Sequence, residues 1–309
     1  DYKVYGDTFT RTTPTALSAA RYWLAGASVG DYALFAGGSG PYSSVVDAYD
    51  TDLTRTTPTA LSTGRSGLAG ASVGDYALFA GGYGPYSSVV DAYDTDLIRT
   101  TPTALSTARQ DLAGASVGEY ALFAGGYTGS YSSVVDAYDT DLTRSTPTAL
   151  SAARYGLAGA SVGDYALFAG GQVGSTSYSA VVDAYTTNLT RSTPTALSTA
   201  RYGLAGASVG EYALFAGGYT GSYSSVVDAY NTDLIRSTPT ALSVQRHGLA
   251  GASVGNYALF AGGTAGSYSS VVDAYNSSLV RSTPTALSTA RNQLAGASVG
   301  DYALFAGGS

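Results

Sequence analysis

The chain has 309 residues, of which 45% are apolar and 12% charged, with a net charge of −7; that much apolar material can bury a sizeable core and excludes a disordered chain. There is no cysteine and one histidine, His247, which removes disulfides, thiolate metal sites, cysteine nucleophiles and nearly all imidazole chemistry. The negative balance argues against nucleic acid as a partner.

Read from the N-terminus, DYKVYGDTFT lacks a basic start and an apolar centre, and no apolar run reaches the ~18 residues of a membrane span, so no targeting or anchoring segment is expected. Residues 1–5 align with a later Val-Val-Asp-Ala-Tyr phrase, and Arg11 opens the first Arg-[Ser/Thr]-Thr-Pro-Thr-Ala-Leu-Ser phrase. The first full unit then offers four extended segments, at residues 24–29, 32–36, 43–49 and 53–61, each bounded by glycine, Asp-Thr-Asp or serine-rich turns. The phrase Leu-Ala-Gly-Ala-Ser-Val-Gly-x-Tyr-Ala-Leu-Phe-Ala-Gly-Gly recurs from Leu24, Leu68, Leu112, Leu157, Leu204, Leu249 and Leu294, at steps of 44 to 47 residues. No segment has helical apolar spacing, while valine, tyrosine and threonine are abundant, so helix content should be close to nil.

Four strands repeated at this period make a β-propeller blade, because each small sheet buries its faces only against its neighbours. The first strand of each unit supplies small residues such as Ala25, Gly26, Ala27 and Ser28, as strands converging on an axis require. The expected fold is all-β: one domain over residues 1–309, a seven-bladed propeller of four-stranded antiparallel blades. Residues 1–18 should give the outer two strands of a composite closing blade, and residues 294–308 its inner two.

The glycine doublets from Gly37/Gly38 to Gly307/Gly308, the tyrosine at Tyr49 with its equivalents (Tyr5 in the first segment), and an arginine before each inner strand resemble the kelch-repeat β-propellers. The family's tryptophan on the fourth strand is missing here and the Arg55-Thr-Thr-Pro series takes its place, so blade-to-blade packing should differ in detail. Copper-radical chemistry, which one kelch oxidase carries, needs histidine ligands and a Cys–Tyr crosslink; this chain cannot supply them. Sialidase-like Asp boxes, Ser-His-Asp constellations and nucleotide fingerprints are absent as well.

Individual residues are read in the same way. The doublets lack the context of a phosphate loop and are steric in origin. A three-residue turn at Asp50-Thr51-Asp52 would set Tyr49 opposite Leu53 and Asp47 opposite Arg55, giving six structural cross-strand ion pairs, with Lys3 and Arg11 at these positions in the closing blade. Asp-Thr-Asp lacks the rest of a calcium loop and reads as a solvated turn. His247 occupies a position held elsewhere by tyrosine, serine, glutamine or asparagine, and is not a catalytic base.

Variation concentrates in two connections, between Leu-Ser and Leu-Ala-Gly and between Gly-Gly and Tyr-Ser, which leave an up-and-down blade on one face. The candidate ligand-binding residues there are Arg21, Tyr22, Trp23, Arg65, Arg109, Arg154, Tyr155, Arg201, Tyr202, Arg246, His247 and Arg291, with Tyr83, Tyr127 and Tyr219 around them. They point to a non-catalytic binding or scaffold protein taking an acidic peptide, a protein or a glycan at the channel mouth, with no metal or cofactor, as a monomer. The alternatives are a purely structural repeat protein, engineered, consensus-built or recently amplified, and more remotely a carbohydrate-active enzyme. Cellular location carries no signal.

Overall fold

The computed structural model describes residues 2–5 and 8–309. Seven four-stranded antiparallel sheets form a ring, with no helix among the described residues. In six of the sheets the strands run inner to outer in chain order. In blade one the strands are Ala25–Val29, Tyr32–Ala36, Val46–Tyr49 and Arg55–Thr56. The closing sheet joins the two ends, with Ala295–Val299 and Tyr302–Ala306 inside and Tyr2–Tyr5 and Thr8–Arg11 outside. A fifth-strand-like ribbon, Gln172–Gly174 with Ser177–Tyr178, decorates the longest variable loop, in blade four.

The alternation predicted for the inner strand is present: Ala25, Ala27 and Val29 are buried against the blades, and Gly26 and Ser28 face the axis. Convergence at the axis is tight enough to demand glycine. A Cβ on Gly70 would lie 2.3 Å from the Gly26 carbonyl oxygen, and the same obstruction recurs at every inner strand. The remaining channel holds about 230 Å³. The seven inner serines close a hoop inside it, each hydroxyl donating to the serine carbonyl of the preceding blade: Ser72 to Ser28 and Ser161 to Ser116 at 2.6 Å, with Ser28 to Ser298 completing the turn at 2.6 Å.

The core lies between blades rather than within them. Leu78, Val90, Ala92 and Leu105 of blade two pack with Phe123 and Tyr138 of blade three, and equivalent clusters fill the other interfaces. Phe123 and Tyr138 meet edge to face at 6.1 Å, and the Tyr138 hydroxyl donates to the Thr103 carbonyl of the preceding blade at 2.8 Å. Thr-Pro-Thr is thus an inter-blade strap. It receives both tyrosine and arginine donors, since Arg144 also donates to the Ala104 carbonyl at 3.1 Å.

Three details differ from the sequence reading. Outside the closing blade the fourth strand is only two residues long, because the turn before it takes in a leucine such as Leu53, at φ 61°, and the proline segment after it leaves the ladder. Tyr49 therefore pairs with Arg55, not Leu53. In the closing blade Tyr2 pairs with Arg11 and packs on Phe305 at 6.2 Å, so Tyr2 rather than Tyr5 is the counterpart of Tyr49. Lys3 lies over the Tyr302 ring at 5.0 Å and does not hold the position of Asp47.

Candidate functional site

The arginine of each variable loop points inward. The loop returns along the end of the second strand, so the guanidinium of Arg154 donates to the Phe168 carbonyl at 3.1 Å and to Asp183 at 2.7 Å. Arg21 binds Asp47 at 2.6 Å, and Arg65, Arg109, Arg201 and Arg246 meet Asp91, Asp136, Asp228 and Asp273 at 2.8 to 2.9 Å. These six side chains are at most 1% exposed and the aspartates are 0% exposed. A guanidinium taken from water needs such partners, and burial still lowers its pKa while the aspartate acts in the opposite direction. The expectation that these six arginines present cations to a ligand is therefore corrected: they are internal struts. The predicted Asp47–Arg55 series does exist, at 2.9 to 3.8 Å, but as the outer and more exposed half of a three-membered cluster. Arg291 is the exception: it is half-buried, bound to the Phe305 carbonyl at 2.9 Å, with no ion pair among the described residues.

The two variable loops do share a face. They bridge each other at Tyr22/Ser39, Ser66/Tyr83, Gln110/Tyr127, Tyr155/Gln172, Tyr202/Tyr219 and His247/Thr264. Just inside them a second hoop encircles the channel mouth, made entirely of backbone. Trp23 N–H donates to Gln293, Gly67 to Trp23, Asp111 to Gly67, and so on through Gly156, Gly203 and Gly248 back to Gln293, at 2.8 to 3.0 Å. Every member has a left-handed φ of 52° to 65°. Four of the seven are glycine, as that conformation favours, whereas Trp23, Asp111 and Gln293 carry side chains at a steric cost of about 1 kcal/mol each. Trp23 is 47% exposed. Burial raises the Asp111 carboxyl, against a hydrogen bond from Gln110 at 2.9 Å that lowers it.

Around the mouth the aromatic side chains assemble into two clusters. Tyr42, Tyr83, Tyr86, Tyr127, Tyr131 and Tyr155 form one, in successive contacts of 5.2 to 6.2 Å, with Tyr131 stacked on Tyr155 at 5.6 Å. The other joins Tyr178, Tyr202, Tyr219, Tyr223 and His247, with Tyr178 stacked on Tyr202 at 5.2 Å and Tyr223 on His247 at 5.4 Å. Burial raises the Tyr155 and Tyr202 phenols, with neighbouring tyrosines adding to the effect, and lowers His247. Tyr22 and Trp23 make a separate pair at 5.2 Å.

The structure thus brings together Tyr155 with its neighbours, and Tyr202 with His247, while removing six arginines from the surface. The sequence reading passed over Tyr42, Tyr86, Tyr131, Tyr178 and Tyr223. Their constant Tyr-Ser phrase marked only the end of the variable loop, but it sits just outside the ladder and its rings meet those of the loops. Asp111 and Gln293 were also missed; the signal was a non-glycine residue at a position where four repeats have glycine. Among the described residues no group of three or more acidic or histidine side chains is placed to hold a metal ion.

No protein-family model and no curated protein matches the chain. Among 611 matching chains of solved structures, it is similar to the structure of YjhT, with a TM-score of 0.71 over 88% of this chain and 99% of that one, at 14% identity. A likeness at that identity carries the propeller architecture alone.

Proposed function

We propose that the chain is a non-catalytic binding propeller of kelch type, and that its ligand is an uncharged polyhydroxylated molecule, a glycan, seated on the tyrosine-lined face around the channel mouth. The observation that carries this reading is the pairing of two extended aromatic clusters with burial of six arginines of that face. An acidic ligand would have to compete with the aspartates those arginines already hold. Tyrosine rings instead offer flat apolar faces with a hydroxyl at the tip, suited to the mixed apolar and polar surface of a sugar. Trp23, Asp111 and Gln293 add a large ring, a carboxyl and an amide at the channel mouth, where the other four blades have glycine.

The absence of catalysis is part of the proposal. The aspartates between second and fourth strands are fully buried in ion clusters, and His247 Nδ1 is buried among tyrosines, so neither can reach a substrate proton. Titration of neutral oligosaccharides by calorimetry, guided by a glycan array, tests the reading. Binding should be saturable and weakened by Tyr155→Ala, Tyr202→Ala and Trp23→Ala; no binding across the array, or binding indifferent to all three variants, would overturn it. The competing view of a purely structural, consensus-built or recently amplified repeat protein is favoured by the near-identity of the blades. The same screen separates the two.

A further inference from the structure

One connection between blades differs from the others in what it places at the channel mouth. After the loop arginine the other six read Tyr22-Trp23, Ser66-Gly67, Tyr155-Gly156, Tyr202-Gly203, His247-Gly248 and Asn292-Gln293, whereas the connection into blade three reads Gln110-Asp111. Asp111 is the only acidic residue in either set of variable loops. The arginine before the pair, Arg109, does not balance it, because that side chain turns inward to Asp136 at 2.8 Å.

The backbone of the pair is held on three sides. Gln110 and Tyr127 exchange hydrogen bonds at 2.8 and 3.0 Å, Asp111 N–H donates to the Gly67 carbonyl at 2.8 Å, and the Asp111 carbonyl receives the Gly156 N–H at 3.0 Å. The side chain is less well matched. Gln110 Nε2 donates to Oδ2 at 2.9 Å, while Oδ1 receives no donor and the carboxylate meets no cation among the described residues. Oδ1 lies over the neighbouring connection, where a Cβ on Gly67 would stand 2.9 Å from it. Burial raises the carboxyl, and the bond from Gln110 offsets this only in part. The Tyr86 and Tyr155 phenols are raised by desolvation, then by neighbouring tyrosines, and also by Asp111, which sets the carboxylate beside the first tyrosine cluster.

An acceptor without a donor, at the edge of an aromatic surface, defines what would complete it. Gln110 also keeps a second N–H and a carbonyl oxygen free of side-chain partners. A sugar hydroxyl donates and accepts at once, so two hydroxyls on adjacent ring carbons can donate to Asp111 while one of them takes the second N–H of Gln110. We propose that Gln110 and Asp111 form the polar edge of a sugar subsite, in which the Asp111 carboxylate accepts from two adjacent hydroxyls of a neutral pyranose whose apolar face lies on the tyrosines beside it. This rests on the glycan reading above and names the group that selects among glycans. Hydrogen bonds to a carboxylate are about twice as strong as neutral ones, and a site built to pair hydroxyls rejects a ligand that lacks them.

The test is calorimetric titration of the full chain with cellobiose, maltose, lactose and mannobiose. Asp111→Gly, which restores the residue of four other blades, and Asp111→Asn should each weaken the best-bound disaccharide at least about tenfold, the loss of a charge-assisted contact. Wild-type affinity should also fall from pH 7 to pH 4 as the carboxyl takes up its proton, and Asp111→Asn should remove that fall. The adjacent phenols stay neutral throughout, and His247, in the other cluster, titrates in both proteins alike. Saturable binding that depends on Tyr155 but is indifferent to both Asp111 variants would overturn the subsite and leave the glycan reading standing. Tighter binding of a protonated glucosamine disaccharide than of cellobiose would overturn the hydroxyl assignment. No saturable binding of any neutral glycan, on the array or among these disaccharides, would overturn both readings.

Discussion

Replacing Asp183 by alanine should destabilise the propeller far more than removing the arginine that lies on the solvent side of the same carboxylate. Asp183 is 0% exposed, 2.7 Å from Arg154 with 0% exposure and 3.4 Å from Arg191 with 26% exposure; it also receives the Ser151 N–H at 3.1 Å. Deleting the carboxylate leaves the Arg154 guanidinium buried and unpaired, at a cost of about 3–5 kcal/mol. Arg191→Ala leaves the buried pair intact and removes a partly solvated contact worth about 0–1 kcal/mol. An unfolding entropy of about 2.1 cal/mol/K per residue gives roughly 0.65 kcal/mol/K for a chain of this length, so the expected drops in Tm are about 5–8 °C and under about 2 °C. Differential scanning calorimetry of both variants, with Arg154→Ala alongside, makes the comparison. Arg291→Ala serves as an internal control: among the described residues no carboxylate faces Arg291, so its loss should shift Tm less than Arg154→Ala. Equal shifts for Asp183→Ala and Arg191→Ala would refute the assignment of the loop arginines as internal struts.

Gly70→Ala should abolish or severely impair folding, because its Cβ would lie 2.3 Å from the Gly26 backbone oxygen, which cannot yield; recovery of soluble protein with an unchanged melt would contradict the packing at the axis. Deleting residues 1–18 should lower Tm sharply, since it strips the closing blade of both outer strands, and urea unfolding followed by circular dichroism would detect it. The His247 prediction concerns acid. Burial lowers its pKa in the folded protein, so the unfolded chain takes the proton first as pH falls below its ordinary value of about 6.5, and folding weakens through that window until the folded imidazole also protonates. His247→Gln should flatten the dependence of the urea midpoint between pH 7.5 and 5.5, and an identical slope in both proteins would show that the imidazole does not titrate as described.

Ring, blade number and closing arrangement could all be read from the repeat, because glycine and alanine at the axis and an apolar second strand are direct imprints of convergence. The arginines misled because their spacing places them in loops, and loop position alone says nothing of where a long side chain ends. A numerical hint was available: each full repeat carries two arginines and one aspartate at fixed positions, which suits a shared buried carboxylate better than a hairpin pair. The assignment of Tyr5 failed for a related reason. Counting back from Arg11 assumed a turn of constant length, whereas the closing hairpin joins Tyr2 to Arg11 and is three residues longer than the one joining Tyr49 to Arg55. The aromatic clusters escaped notice because they are assembled from different loops of neighbouring blades, such as Tyr131 with Tyr155 and Tyr178 with Tyr202, at spacings that follow no single period.

The serine hoop and the backbone hoop at the mouth share a property that neither strand pairing nor core packing has: each runs unbroken around the axis, every serine hydroxyl and every mouth N–H donating to a carbonyl of the blade before it, and in the serine hoop N–H groups such as those of Ser28 and Ser72 also donate back to the hydroxyl of the next blade. A circuit of that kind has no first or last member, so at the axis the contact between the closing blade and blade one, Ser28 on Ser298 and Trp23 on Gln293, is of the same kind as every other blade boundary. Both hoops must close together: a ring left open at one boundary would leave a donor and an acceptor facing water at both levels, so the axis ties ring closure to two layers of hydrogen bonds at once.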